Sequence, residues 1–145
     1  MTALSTRPLS GSATQGRRRG GSDDPLLRFA VRADATLCAG IGLLIAMAAD
    51  PLSRLSGLSA VSEWVAGAAL VVYGTTLYAL AAAPGIRTIG VGIVVANVVF
   101  AIVAAAVLIA GVLPLTEAGV AMMLAIIAAT LGLAYAQCLG VRRLA

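Results

Sequence analysis

The sequence predicts an all-α membrane protein, an antiparallel four-transmembrane-helix bundle, and three observations lead there. Hydrophobic residues fill 61% of the 145 positions and charged residues only 11%, which is too apolar for an ordinary soluble domain. That apolarity is gathered into four blocks, Arg32–Ala49, Trp64–Ala83, Ile89–Leu113 and Ala118–Gly140, joined by short polar pieces. The third block contains no charge and one strongly polar residue, Asn97. As a helix it reaches roughly 37 Å, enough to cross a hydrocarbon core of about 30 Å with some tilt. The third observation is the placement of charge. All ten basic residues are arginines. Arg7, Arg17, Arg18, Arg19, Arg28 and Arg32 precede or open the first block, Arg87 lies between the second and third, and Arg142 and Arg143 end the chain. Arg54 alone falls in the alternate connections. By the positive-inside rule both termini are cytoplasmic, which requires an even number of spans. The net charge of +4 therefore reads as topology, and the expected partner is the lipid bilayer, not nucleic acid.

Residues 1–25 are rich in Ser, Gly, Thr and Arg, with little to bury, and are expected to be a disordered cytoplasmic tail. Arg17–Arg19 would set topology or touch anionic lipid. The transmembrane domain is expected over 26–143, with spans at about 30–49, 64–83, 89–113 and 118–140. The first span would begin near Leu26 and stop at Asp50-Pro51, because proline ends a helix. Ala46-Met47-Ala48 has the small-x-small form of a cleavage site, but the region before it is far longer than a secretory leader's basic segment, so the span is expected to be retained. Leu52, Leu55, Leu58 and Val61 recur every third residue and suggest a short helix lying on the outer surface. Trp64 suits an aromatic belt. Pro84-Gly85 closes the second span, Arg87 marks the inner turn, and Thr88 is the expected cap of the third. Pro114 should end that helix. Thr116 should cap the fourth, with Glu117 at its positive end, and the short connections make neighbouring helices antiparallel.

On the fourth span Ala128, Gly132, Ala136 and Gly140 recur every fourth residue, a pattern that lets helix backbones approach closely in lipid. This face is either a seam inside the bundle or a homodimer surface. Gly67 and Gly74 make a weaker stripe on the second span. Polar residues within the spans are costly and are the candidate functional positions. Arg32 and Asp34 lie near the inner end of the first span, Tyr78 near that of the second, Asn97 roughly 13 Å into the third, and Gln137 near the end of the fourth. Tyr73 and Cys38 lie deeper. Either this cluster is a polar pocket open to the cytoplasm, or it is a clasp of interhelical hydrogen bonds with an ion pair from Asp34 to Arg32, Arg142 or Arg143.

The chemistry this leaves is narrow. The chain has no His, and its two cysteines, Cys38 and Cys138, are far apart, so no metal site of the usual N/S type is expected. No glycine-rich phosphate loop, nucleophile–base pair or cofactor motif stands out.

Arg32-Ala33-Asp34-Ala35, Gly40–Leu44 (GIGLL), Tyr73, Asn97 with Phe100 three residues on, Leu115-Thr116 with Gly119, and Gln137-x-x-Gly140-x-Arg142-Arg143 form a pattern across residues 26–143. In it the chain resembles a family of small bacterial integral membrane proteins with four predicted spans and no assigned activity. Family members often carry Trp where this chain has Phe100. The resemblance implies four helices in a bacterial cytoplasmic membrane and points again to Asp34, Asn97 and Gln137. It implies no reaction.

The expected function is non-enzymatic: a scaffold, accessory subunit or binding protein, acting as a homodimer or with another membrane protein. The alternative is a small dimeric transporter of hydrophobic or cationic compounds, similar in size to the small multidrug resistance proteins. Those carry a membrane-embedded glutamate in the first helix. Here the first span has only Asp34, near its edge.

Overall fold

A computed structural model describes residues 25–142. The expected disorder of the tail, Arg17–Arg19 and Arg143 lie outside the described residues. Five helices follow one another: α1 (Pro25–Met47), α2 (Ala49–Ser56), α3 (Ala60–Ala82), α4 (Ile86–Ala110) and α5 (Glu117–Arg142). All but α2 are long and apolar enough to cross a membrane, and no strand occurs among the described residues. The chain is an all-α, multi-pass membrane protein built as a four-helix bundle.

The helix ends differ from expectation where glycine or a side-chain cap acts before proline does. Pro51 does not end the first span; it sits in the first turn of α2, where no intrahelical N–H is required. The hydrogen bond it cannot make is the one to Met47, and Met47 is where α1 stops. Leu58 and Val61 fall outside α2, so only Leu52 and Leu55 share the short helix. Then α3 opens at Ala60, four residues before Trp64, because the Ser59 hydroxyl accepts the Ser62 N–H at 3.0 Å. Its last turn ends on a cation: Arg28 donates to the carbonyls of Ala81 (2.5 Å) and Ala83 (3.3 Å), groups a helix terminus leaves without partners.

Thr88 is not the cap of the third span. Gly85, at φ +74°, occupies that position and α4 starts at Ile86. Likewise α4 leaves the helix at Gly111 (φ +61°), three residues before Pro114, since glycine enters the left-handed region without a Cβ penalty. Thr116 does cap α5, accepting the Gly119 N–H at 3.0 Å, with Glu117 in the first turn.

The tightest seam joins α1 and α3. A Cβ on Gly67 would come within 2.5 Å of the Gly42 carbonyl, and one on Gly74 within 2.6 Å of the Ala35 carbonyl and the Ala39 nitrogen. Gly67, Gly74 and Ala81 are spaced by seven, as are Ala35 and Gly42, the repeat that keeps one face on a neighbour in left-handed packing. The weaker stripe of the sequence is thus the seam. The stronger one is not: Gly132 is exposed, with no neighbour within 4 Å of an added Cβ. Ala136 is half-buried, and only Gly140, packed on Leu27, is buried. The reason is Gln137, which α5 turns inward together with Ala134 and Gly140. At 100° per residue Gly132 stands about 140° round the helix from Gln137, and Gly140 only about 60°.

Large apolar side chains concentrate in the arginine-rich half of the bundle. Leu27, Val31, Leu77, Ile86 and Ile93 form its core, with Tyr73, Ile89 and Val141 packed against it. Leu27 is fully buried against Gly90 and Gly140, so it ties α1 to both α4 and α5.

Candidate functional site

Above the Leu27 layer the bundle turns polar. Asp34 on α1, Asn97 on α4 and Gln137 on α5 meet at the centre, 2%, 5% and 0% exposed. The Gln137 Nε2 donates to Asp34 Oδ2 at 2.7 Å. The Asn97 Nδ2 donates to the same oxygen and to Gln137 Oε1, each at 3.1 Å. These three side chains close a ring. Two further groups extend it: the Tyr73 hydroxyl on α3 donates to Asn97 Oδ1 at 3.1 Å, and the Cys38 thiol donates to Asp34 Oδ1 at 3.3 Å. Every spanning helix contributes a member. Each has a cause in helical phase and cost, since a carboxylate or amide turned to hydrocarbon would go without partners.

Two sequence candidates stand elsewhere. Arg32 is exposed on the outer face of α1, because a two-residue step turns about 200° round a helix and faces it away from Asp34. Tyr78 is 58% exposed, and Tyr73 takes the place expected for it. The two tyrosines flank the α1-facing stripe of α3 on opposite sides, and α4 lies on the Tyr73 side. No arginine among the described residues is a partner of Asp34: Arg32 points away and Arg142 is exposed at the helix end, while Arg143 lies outside the described residues. Instead of an ion pair, three donors converge on a carboxylate that serves as acceptor on both oxygens.

The arrangement engages nearly all of its own polar groups, the exception being the second N–H of Gln137 Nε2, whose one bond goes to Asp34. Both Asn97 N–H bonds, its carbonyl, the Gln137 carbonyl and both carboxylate oxygens are engaged within the ring and its two extensions. The described residues hold no group of three or more His, Cys, Asp or Glu suited to a metal ion, and Cys38 and Cys138 are free thiols.

A second buried polar pair, absent from the sequence reading, closes the opposite end. The Ser56 hydroxyl donates to Glu63 Oε1, both groups being buried. Beside it the Ser56 carbonyl accepts the Thr116 N–H at 2.9 Å, and the Thr116 hydroxyl donates to the Leu55 carbonyl. These bonds clasp the end of α2 to the start of α5. The available signal was Glu63 in the first turn of an apolar span, three residues after Ser59-Ala60.

A scan against protein-family models, a search of curated proteins and a search of solved structures each find no match for this chain.

Proposed function

We propose that the chain is a non-enzymatic membrane protein of the bacterial cytoplasmic membrane, an accessory or scaffold subunit that acts through its membrane-facing surface. Both termini are cytoplasmic in this reading. The observation that carries it is the closure of the Asp34–Asn97–Gln137 ring. A transport or catalytic site keeps polar groups free for its substrate, whereas all of these but the second Gln137 N–H are engaged with one another, so the ring acts as the clasp that fixes four helices in one register. Such bonds contribute only about 0.6 to 2 kcal/mol each in lipid, but they choose one arrangement among many apolar ones. Gathering Arg28, Arg32, Arg87 and Arg142 at one end of the bundle supports the orientation. The open Ala128–Gly132–Ala136 face of α5 suits a second copy or another membrane protein.

A transporter remains the competing reading on one observation: Asp34 is a buried carboxylate with no cationic partner among the described residues. Purified protein in liposomes loaded with a pH-sensitive dye separates the two. Under an imposed pH gradient and membrane potential the protein should pass no more protons than empty vesicles. Proton flux that disappears in Asp34→Asn would overturn the proposal.

A further inference from the structure

The groove on the outward face of α1 is lined by Phe29, Arg32, Ala33, Thr36 and Leu37, with Tyr78 of α3 as its other wall, and holds about 550 Å³. We propose that it binds one anionic phospholipid, with the phosphate on the Arg32 guanidinium and an acyl chain in the notch over Ala33. Three features select that occupant. The first is shape: Phe29, Ala33 and Leu37 follow one another at four-residue intervals on one helix face. A small residue between two bulky, exposed ones leaves an apolar notch across α1, walled along the axis by Phe29 and Leu37 and on the α3 side by Tyr78, a seat for a segment of an acyl chain.

The second is charge. Arg32 lies seven residues, about 10 Å, from the start of α1, on a face turned to the membrane. The neighbouring basic group, Arg28, is engaged with the carbonyls ending α3. No acidic residue is among the described residues lining the groove, and none of them balances Arg32. A guanidinium at this depth extends toward the headgroup layer, and a phosphate matches its fork of donors. A lipid of net negative charge neutralises the groove, whereas a zwitterionic one brings its own cation. The third is polarity confined to one level. The Thr36 hydroxyl is bonded to the Arg32 carbonyl at 2.8 Å, leaving Tyr78 and Arg32 as the groove's polar groups, with apolar Phe29 and Leu37 on either side of them along α1. A phosphate and an acyl segment thus each find a distinct seat in a single groove.

The proposal rests on the reading that the chain works through its membrane-facing surface, but its test is separate from the proton-flux test. Detergent-purified full-length protein is titrated with phosphatidylglycerol or phosphatidylcholine of the same acyl chains, and retained lipid is counted by native mass spectrometry. The parent should hold one phosphatidylglycerol about tenfold more tightly than phosphatidylcholine, the scale of one charge-assisted contact. Arg32→Gln should abolish the preference. Ala33→Phe, which fills the notch and keeps the charge, should weaken retention of both lipids. Arg87→Gln, exposed at the same end but outside the groove, should change neither. Equal retention of the two lipids, or equal losses from Arg32→Gln and Arg87→Gln, would overturn the site in favour of a diffuse basic rim. Displacement by glycerophosphate or inorganic phosphate at matching concentration would overturn it in favour of a bare phosphate site.

Discussion

Replacing Asn97 by Leu is the sharpest perturbation of the bundle, because Asn97 is bonded to Asp34 on α1, Tyr73 on α3 and Gln137 on α5. Leucine keeps a similar volume and removes all three bonds. At about 0.6 kcal/mol per interhelical bond in lipid the direct loss is about 2 kcal/mol. Asp34 keeps the Gln137 and Cys38 donors, but the Gln137 carbonyl, in a side chain 0% exposed, loses the Asn97 N–H, and an unsatisfied buried acceptor costs roughly 1–3 kcal/mol. The added apolar contact of Leu offsets part of this, so the net expectation is a destabilisation of about 3 kcal/mol. Tyr73→Phe, which deletes one bond of the same network, should cost about 0.6–1 kcal/mol. Tyr78→Phe, on the outer surface, should cost nothing measurable in stability. Reversible unfolding by SDS in mixed micelles, followed by circular dichroism, gives all three values. Combining Asn97→Leu with Gln137→Leu adds a coupling test: the double variant should be less destabilised than the sum of the two singles. If Asn97→Leu unfolds within about 0.5 kcal/mol of the parent, or the two singles add, the ring does not hold the helices together.

Three further outcomes follow from the same contacts. Gly74→Leu should lower stability by about 3 kcal/mol or prevent folding, because its side chain would enter the backbone of α1; Gly132→Leu, on an open face, should leave the unfolding transition of the single chain unchanged, and equal losses would put the seam elsewhere. Arg28→Met should speed hydrogen exchange in the last turn of α3 about tenfold by uncapping the Ala81 and Ala83 carbonyls, with unchanged exchange in the first turn of α3 as the internal control. In a chain with Cys38 and Cys138 replaced by Ser, an impermeant thiol reagent added outside intact cells should label Arg54→Cys and miss Arg87→Cys; the reverse pattern would invert the orientation. Ser56 is unsuitable as the outer probe, since it is buried against Glu63.

What the sequence conveyed and what it withheld divide along a physical line. Hydropathy over a block of some twenty residues is a one-dimensional property, and so is depth along a helix. The four spans and the common level of Asp34, Asn97 and Gln137 could both be read from it. Helix ends depend on single residues, and Ser59, Gly85 and Gly111 set theirs ahead of Trp64, Thr88 and Pro114. The outward turn of Arg32 was readable too, because two residues are about 200° of helix whatever the tertiary structure. Tyr73 and Tyr78 are another matter. They flank the α1-facing stripe of α3 some 140° apart, and choosing between them requires knowing on which side of the α1–α3 pair α4 lies. That is the handedness of the bundle, a relation between helices that no single helix encodes. The glycine stripes teach the same lesson through spacing. Four-residue repeats in α5 mark a smooth helix face but not what covers it. The seven-residue repeats of Gly67–Gly74–Ala81 and Ala35–Gly42 match the period at which two left-handedly crossing helices stay in contact, and two matching repeats on two helices identify a seam. Arg32 and Tyr78 then gain meaning from their exclusion. Turned away from the ring by helical phase, they are set side by side on the outer groove.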